Sequence, residues 1–84
     1  MAKNFMKVQV LFFGATAEAV GEREIEMDFA AATKSGEAFA EIKRKFPQLN
    51  NHSLLFAVNQ SYADGGELIK NGDELAVFTA VSGG

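Results

Sequence analysis

Apolar and polar residues alternate along much of this chain, with the period of two that is typical of β-strands buried on one face. The alternation predicts strands over residues 7–13, 24–29, 54–59 and 74–78. Their inward-facing residues are, strand by strand, Val8, Val10 and Phe12; Ile25, Met27 and Phe29; Leu54, Phe56 and Val58; Leu75 and Val77. The other face of the second strand carries only carboxylates, which we interpret as a solvated surface.

A helical period replaces the alternation between residues 33 and 46. Thr33 is the predicted N-cap, and Pro47 is predicted to end the helix because the residue before a proline is pushed out of the α region. Residues 15–20 are predicted to form one or two helical turns, and residues 47–53 a loop. The buried face of the main helix consists of Ala38, Phe39, Ile42 and Phe46.

The order strand, strand, helix, strand, strand predicts an α+β roll in which one main helix packs on one face of a sheet. Glycine-containing turns are expected at residues 64–66 and 70–73. Residues 79–84 carry no strand pattern and are predicted to form an extended, mobile tail. We therefore expect residues 1–84 to form a single domain ending in this tail.

Composition excludes several classes of function. The chain has no cysteine and one histidine, so it lacks thiol nucleophiles and the ligands for a convincing metal site. A net charge of −3 argues against nucleic acid as a partner, and no apolar run is long enough to span a membrane. We therefore expect a cytoplasmic protein with no metal and no permanently bound cofactor, which is not an enzyme on its own.

The C-terminal residues contain the one group that remains available for chemistry, the carboxylate of Gly84. An α-carboxylate is ionised near pH 7 and can attack the α-phosphate of a nucleoside triphosphate to give an acyl adenylate. Gly83 has no Cβ, so it would let the chain end enter a narrow channel. Chance and cloning stay open as the origin of the two glycines: both specified positions are glycine in about 0.5% of chains, and the pair could be a cloning remnant.

Four segments of the chain resemble the small subunit of molybdopterin synthase. They are VLFFG at 10–14, AVNQ at 57–60, NGDELAVF at 71–78 and VSGG at 81–84. The resemblance extends from residue 7 onwards, in order and at compatible spacing. It implies a ubiquitin-like β-grasp roll with a mixed sheet of four to five strands, as in the thiamin sulfur carrier.

The resemblance also implies a mechanism. An E1-like adenylyltransferase would activate the carboxylate of Gly84 with ATP, and a sulfur donor would convert the adenylate into a thiocarboxylate. The tail would then enter the large subunit of the synthase and give its sulfur to cyclic pyranopterin monophosphate. The chain would thus be a sulfur-carrying subunit. Gly84 would carry the sulfur as its thiocarboxylate, and Gly83 would let the chain end enter the active site of the partner.

The same resemblance implies a docking patch made of Phe13, Tyr62 and Phe78, with Val81 as a further partner-binding residue. Phe13 and Phe78 fall on the polar-side face of their strands, where the core does not need a large apolar side chain. The chain has Thr79 and Ala80 where many members of the family have two prolines, which predicts a less rigid tail.

Three further functions remain open from the sequence. The chain could carry sulfur for thiamin, cysteine or tRNA thiolation, or it could be a ubiquitin-like modifier joined to lysines of other proteins. It could also be a plain interaction module whose two glycines are a remnant. Two features favour a molybdopterin synthase carrier over a carrier of these other pathways. They are the length of the chain and its C-terminal part, which runs from the NGDE turn to the SGG ending.

Overall fold

A computed structural model describes residues 5–80. The strands are β1 (Phe5–Phe12), β2 (Glu24–Ala30), β3 (Leu54–Val58), β4 (Ser61–Tyr62) and β5 (Glu74–Thr79). The helices are α1 (Ala15–Val20), α2 (Ser35–Lys45) and a 3₁₀ helix (Pro47–Asn51). The four strands predicted from the alternation are all present, with ends that shift by one or two residues.

The five strands form one mixed sheet in the order β2-β1-β5-β3-β4. Strand β1 is antiparallel to β2 and parallel to β5, and β3 is antiparallel to both β5 and β4. Parallel neighbours need a crossover connection, and the segment that contains α2 supplies it between β1 and β5. The predicted mixed sheet with one main helix is confirmed.

The core lies between α2 and the inner face of the sheet. The predicted inward residues of β1 and β5 are buried, and so is the predicted face of α2 apart from Phe46, which packs against the core from its margin. The ring centroid of Phe39 on α2 lies 4.0 Å from that of Phe56 on β3. Burying an aliphatic or aromatic side chain of this kind stabilises a fold by about 1.5–3 kcal/mol.

The prediction that Thr33 caps the main helix is wrong. Its hydroxyl donates to the carbonyl oxygen of Ala30 at 2.6 Å, within the turn that follows β2. Lys34 is the N-cap, and its backbone N–H donates to a carboxylate oxygen of Glu37 at 2.9 Å. The helix ends before Pro47, as predicted.

One segment predicted to be irregular contains regular structure, and one strand lies where the sequence supported no prediction. Residues 47–53, predicted as a loop, include the 3₁₀ helix, and Leu49 within it is fully buried in the core. Strand β4 was not predicted, because two residues are too few to show a period. It pairs with the end of β3 and completes the five-stranded sheet.

The tail predicted from residue 79 does not begin there. Thr79 is the last residue of β5 and pairs with Leu54 on β3. The backbone N–H of Ala80 then donates to the carbonyl oxygen of Ser53 at 3.1 Å. The candidate site residues Val81, Gly83 and Gly84 lie outside the residues that the structure describes.

Candidate docking site

The outer face of the sheet, opposite α2, carries the three aromatic residues predicted from the sequence to form a docking patch. We call Phe13, Tyr62 and Phe78 the aromatic patch. Phe13 is 52% exposed and Tyr62 75% exposed, while Phe78 is half-buried. The ring centroids of Tyr62 and Phe78 are 5.9 Å apart, and all three side chains line one depression. The structure therefore brings together three residues from distant parts of the chain, as expected of a contact surface.

Hydrogen bonds at the ends of β1 and β5 place Phe13 beside Phe78. The backbone N–H of Phe13 donates to the carbonyl oxygen of Val77 at 3.1 Å and to the hydroxyl oxygen of Thr16 at 3.0 Å. Thr16 is fully buried, and its hydroxyl lies 2.7 Å from the carbonyl oxygen of Phe13 and 2.8 Å from that of Val77. One threonine thus ties the two strand ends together beneath the aromatic patch.

Tyr62 is positioned by the hairpin between β3 and β4. Its turn places Asn59 and Gln60 at φ values of 50° and 71°, the left-handed conformation that a two-residue hairpin turn requires. The amide nitrogen of the Asn59 side chain donates to Asp73 Oδ1 at 3.0 Å, and its amide oxygen accepts the backbone N–H of Glu74 at 3.0 Å. The hairpin is therefore anchored to the start of β5, the strand that carries Phe78.

The depression at the aromatic patch has a volume of about 570 Å³, and we call it the outer recess. Ala57 on β3 and Ala76 on β5 pair directly and form its floor, and Leu11 on β1 pairs with Ala76 on the other side. Ala57 is only 7% exposed although it lies on the outer face. Because the two alanine side chains are short, the larger side chains around them project further from the sheet and form a rim. The remaining residues at the rim are Gln60 and Glu74.

Glu67 is the titratable group whose protonation equilibrium is most clearly altered by the fold. The hydroxyl of Ser35 and the backbone N–H groups of Asp64 and Gly65 donate to its carboxylate, and they lower its pKa from 4.5 to about 2. Hydrogen bonds to the charged form of a carboxylate have this effect. Since its partners are backbone amides and a buried serine at the start of α2, Glu67 fixes this loop against the helix.

Residues 5–80 offer contact surfaces and few reactive groups. No group of three or more His, Asp or Glu side chains in this range is placed to hold a metal ion. In the same range, no helix has the length and apolar character needed to cross a membrane. The aromatic patch with its recess is therefore the candidate functional surface of the described part of the chain.

Sequence reasoning identified the aromatic side chains but missed the residues that arrange them. Strand parity does place Ala57 and Ala76 on the outer face, yet small residues give no signal of a recess. Thr16 stands three residues after Phe13, the spacing at which a hydroxyl can bond back to the backbone of a turn. That spacing is the one local signal that could have pointed to Thr16.

The chain matches known proteins over nearly its whole length. The model of the ThiS family matches residues 10–84. The molybdopterin synthase sulfur carrier subunit of Mycobacterium tuberculosis is 37% identical over 83 residues, which cover 94% of this chain and 99% of that protein.

Solved structures share the fold. SAMP1 from Haloferax volcanii superposes with a TM-score of 0.82 at 27% identity, covering 93% of this chain and 99% of SAMP1. The complex of subunits 1 and 2 of the molybdopterin-converting factor from Helicobacter pylori contains a chain that superposes with a TM-score of 0.68 at 26% identity. That match covers 94% of this chain and 100% of the other. These similarities confirm the predicted ubiquitin-like β-grasp fold.

Proposed function

This chain belongs to the ThiS family and, within it, to the molybdopterin synthase sulfur carrier subunits, and from that premise we propose that it carries sulfur as a thiocarboxylate at Gly84. The family match includes both terminal glycines. The observation that carries the proposal is the position of the aromatic patch at the end of β5, the strand from which the sequence continues to Gly84.

The proposed chemistry needs no side chain of this protein. In an E1-like adenylyltransferase, the carboxylate of Gly84 attacks the α-phosphorus of ATP, forming an acyl adenylate and releasing pyrophosphate. A sulfide-level sulfur donor then attacks the acyl carbon and expels AMP, which leaves a thiocarboxylate. In the large synthase subunit its sulfur attacks a carbon of cyclic pyranopterin monophosphate and displaces an oxygen substituent from that carbon. Water then cleaves the resulting thioester, which regenerates the carboxylate of Gly84 and leaves the sulfur on the pterin as a thiolate.

The contribution of the described residues is docking. The aromatic patch would hold the chain against the large subunit, and against the E1-like enzyme in turn, while the tail reaches the reacting centre. Gly84 lies four residues beyond Ala80. A fully extended chain spans at most about 3.6 Å per residue, so the tail reaches no further than about 14 Å from Ala80. The active site of each partner should therefore lie within that distance of Ala80 in the docked chain.

Intact-mass measurement tests the carrier chemistry. Protein co-expressed with its E1-like partner and purified without thiols should gain the mass that corresponds to replacement of one oxygen by sulfur. A variant lacking Gly84 is the control, and it should show no gain and should not support synthesis of the cofactor. The proposal fails if the intact protein never gains this mass, or if the shortened variant still supports synthesis. Sequencing the native gene past codon 84 tests whether Gly84 is its last residue.

One comparison favours a second function, that of a protein modifier. SAMP1 of Haloferax volcanii, described as small archaeal modifier protein 1, shares the fold closely. In such a role the amine of a lysine on another protein would attack the activated carboxylate of Gly84 instead of a sulfur donor. Diglycine remnants on lysines after proteolysis would support this function, and their absence from cells that make the thiocarboxylate would exclude it. A gene for the large synthase subunit beside this gene would favour a role in molybdenum cofactor synthesis over other sulfur-transfer pathways.

A further inference from the structure

Asn71 and Gly72 form the one asparagine-glycine pair in the chain, and both are exposed in the turn before β5. In such a pair the backbone nitrogen of the glycine can attack the side-chain carbonyl carbon of the asparagine, because glycine has no Cβ to shield the nitrogen. Gly72 has a φ of 86°, a left-handed conformation that favours glycine. A Cβ added there would meet no atom within 4 Å. The turn therefore requires the residue that makes Asn71 reactive, and it leaves the pair open to water.

Two hydrogen bonds join this pair to a single residue of β1. The backbone N–H of Lys7 donates to Asn71 Oδ1 at 2.9 Å, and the backbone N–H of Gly72 donates to the carbonyl oxygen of Lys7 at 2.8 Å. We call these two bonds the Lys7 clasp. The attack needs the Gly72 nitrogen to lose its proton and the Asn71 side chain to turn onto that nitrogen. The clasp holds both the proton and the side chain, so it opposes the reaction.

Asp73 keeps the turn in the shape that forms the Lys7 clasp. Its Oδ2 atom accepts the backbone N–H of Lys70 at 2.8 Å, and its own backbone N–H donates to the carbonyl oxygen of Lys70 at 3.0 Å. The carbonyl oxygen of Asp73 accepts the backbone N–H of Gln9 at 3.0 Å, which ties the turn to β1 a second time. The clasp should therefore open when the turn loosens, and Asp73 should control how often that happens.

We propose that Asn71 is a site of spontaneous deamidation, and that the Lys7 clasp sets its rate by making the reaction wait for local opening of the turn. The Gly72 nitrogen bonds to the side-chain carbonyl carbon of Asn71, and the side-chain nitrogen leaves as ammonia, taking the proton that Gly72 has lost. Water then opens the succinimide ring at either carbonyl group and leaves aspartate or isoaspartate at position 71. The reaction is independent of the chemistry proposed for Gly84.

The two products differ in their effect on β1. An aspartate keeps an oxygen that can accept the backbone N–H of Lys7. An isoaspartate carries the main chain through its side chain, which lengthens the backbone by one carbon and moves the N–H of Gly72 away from Lys7. Isoaspartate should therefore release the start of β1 from the turn, whereas the bonds that hold Phe13 lie at the other end of that strand and persist.

Mass spectrometry of the intact protein, incubated in mildly alkaline buffer and then digested, tests the proposal. The fragment that contains Asn71 should gain the mass of replacing an amide NH₂ by OH, and part of the product should be isoaspartate. A synthetic peptide of residues 66–76 gives the rate without the clasp. It should react about ten- to hundredfold faster than the folded protein, as expected if two hydrogen bonds must open first. Asn71→Asp cannot release ammonia and should show no gain.

A substitution in the turn tests the clasp separately. Asp73→Ala should raise the rate at Asn71 in the folded protein by about three- to tenfold, because it removes a hydrogen bond that closes the turn. Asp64→Ala is the matched control, since Asp64 Oδ1 likewise accepts a backbone N–H, that of Gly66 at 2.8 Å, in the other glycine-containing turn. It should leave the rate unchanged. Thermal unfolding shows whether each variant folds, and if Asp73→Ala does not, the comparison with the peptide still decides.

Three results would overturn the proposal. If the folded protein shows no gain at Asn71 over hundreds of half-lives of the peptide, position 71 is not a deamidation site. If the folded protein reacts as fast as the peptide, the Lys7 clasp does not set the rate. If Asp64→Ala accelerates the reaction as much as Asp73→Ala, general loosening of the fold controls it. Faster hydrogen exchange at the Lys7 N–H in the isoaspartate form than in Asn71→Asp would support the predicted release of β1.

Discussion

The hydroxyl oxygen of Thr16 lies 2.8 Å from the carbonyl oxygen of Val77, 61 residues later in the chain. Thr16 belongs to a helix of only six residues, whereas Val77 lies in the central strand β5. The same hydroxyl accepts the backbone N–H of Phe13. The hydroxyl therefore couples the two strand ends that present Phe13 and Phe78, although Thr16 itself is inaccessible to any partner.

We expect Thr16→Val to lower the free energy of unfolding by about 1–2 kcal/mol. Valine has the same shape but has no hydroxyl to hydrogen-bond with the backbone of Phe13 and Val77. Thr16→Ser keeps the hydroxyl and should cost about 1 kcal/mol for the lost methyl group. Urea denaturation measures both values. Thr16→Val should also weaken binding to the large subunit, and Thr16→Ser should not. The proposed coupling by Thr16 would be contradicted if the valine variant were as stable as the serine variant and bound the large subunit as tightly.

Phe13→Ala should weaken binding to the large subunit by about ten- to a hundredfold, the range seen for aromatic anchors at the centre of an interface. Phe5→Ala is a closely matched control, since Phe5 is 57% exposed on the same face of β1 and lies outside the recess. Binding can be measured by calorimetry, with unfolding curves to confirm that both variants fold. Equal losses of affinity in the two variants would show that the aromatic patch has no special part in docking.

Asn59→Gly should be less stable than Gln60→Gly by about 1–2 kcal/mol. Both positions have positive φ, and glycine suits both, so the difference isolates the hydrogen bonds of the Asn59 side chain to Asp73 and Glu74. Urea denaturation gives the comparison. If the two variants are equally stable, the side chain does not anchor the hairpin that carries Tyr62.

Glu67 should make the stability of the protein depend on pH in the acid range. Its pKa is about 2 in the folded protein against an ordinary value of 4.5, so the folded state holds the charged form more strongly. The stabilisation is fully present above pH 4.5 and is lost as the pH falls from there towards 2. Unfolding measured between about pH 6 and pH 3 should show a smaller decline for Glu67→Gln than for wild type. A decline of equal slope in both proteins would contradict the lowered pKa.

The elements that the sequence predicted well are those whose burial is periodic. Val8 and Val10 alternate with polar residues because one face of β1 packs on α2, and this leaves a pattern in the chain. Strand β4 leaves none, because its two residues form a strand only through pairing with β3. Leu49 is buried because the 3₁₀ helix packs its side chain into the core, and no periodic pattern in the local sequence indicates this.

Part of the candidate docking site could also be predicted from the sequence, and part could not. The parity of the strands placed Phe13 and Phe78 on the outer face, but the recess between them depends on the register that sets Ala57 opposite Ala76. Register between distant strands is a tertiary property, fixed by packing and by turns. The aromatic side chains could thus be predicted from the sequence, and the shape that they enclose could not.

Strand β5 is bonded on both sides, to β1 in parallel and to β3 in antiparallel orientation. A force that pulls the chain at Ala80 acts along the axis of this strand. It therefore shears the hydrogen bonds to both neighbouring strands at once, and many of them must break together before β5 can slide. An edge strand pulled across its ladder would instead unzip bond by bond. The proposed function requires the chain end to enter one partner and leave it for another, and β5 would then anchor the chain at the point where that pull is applied.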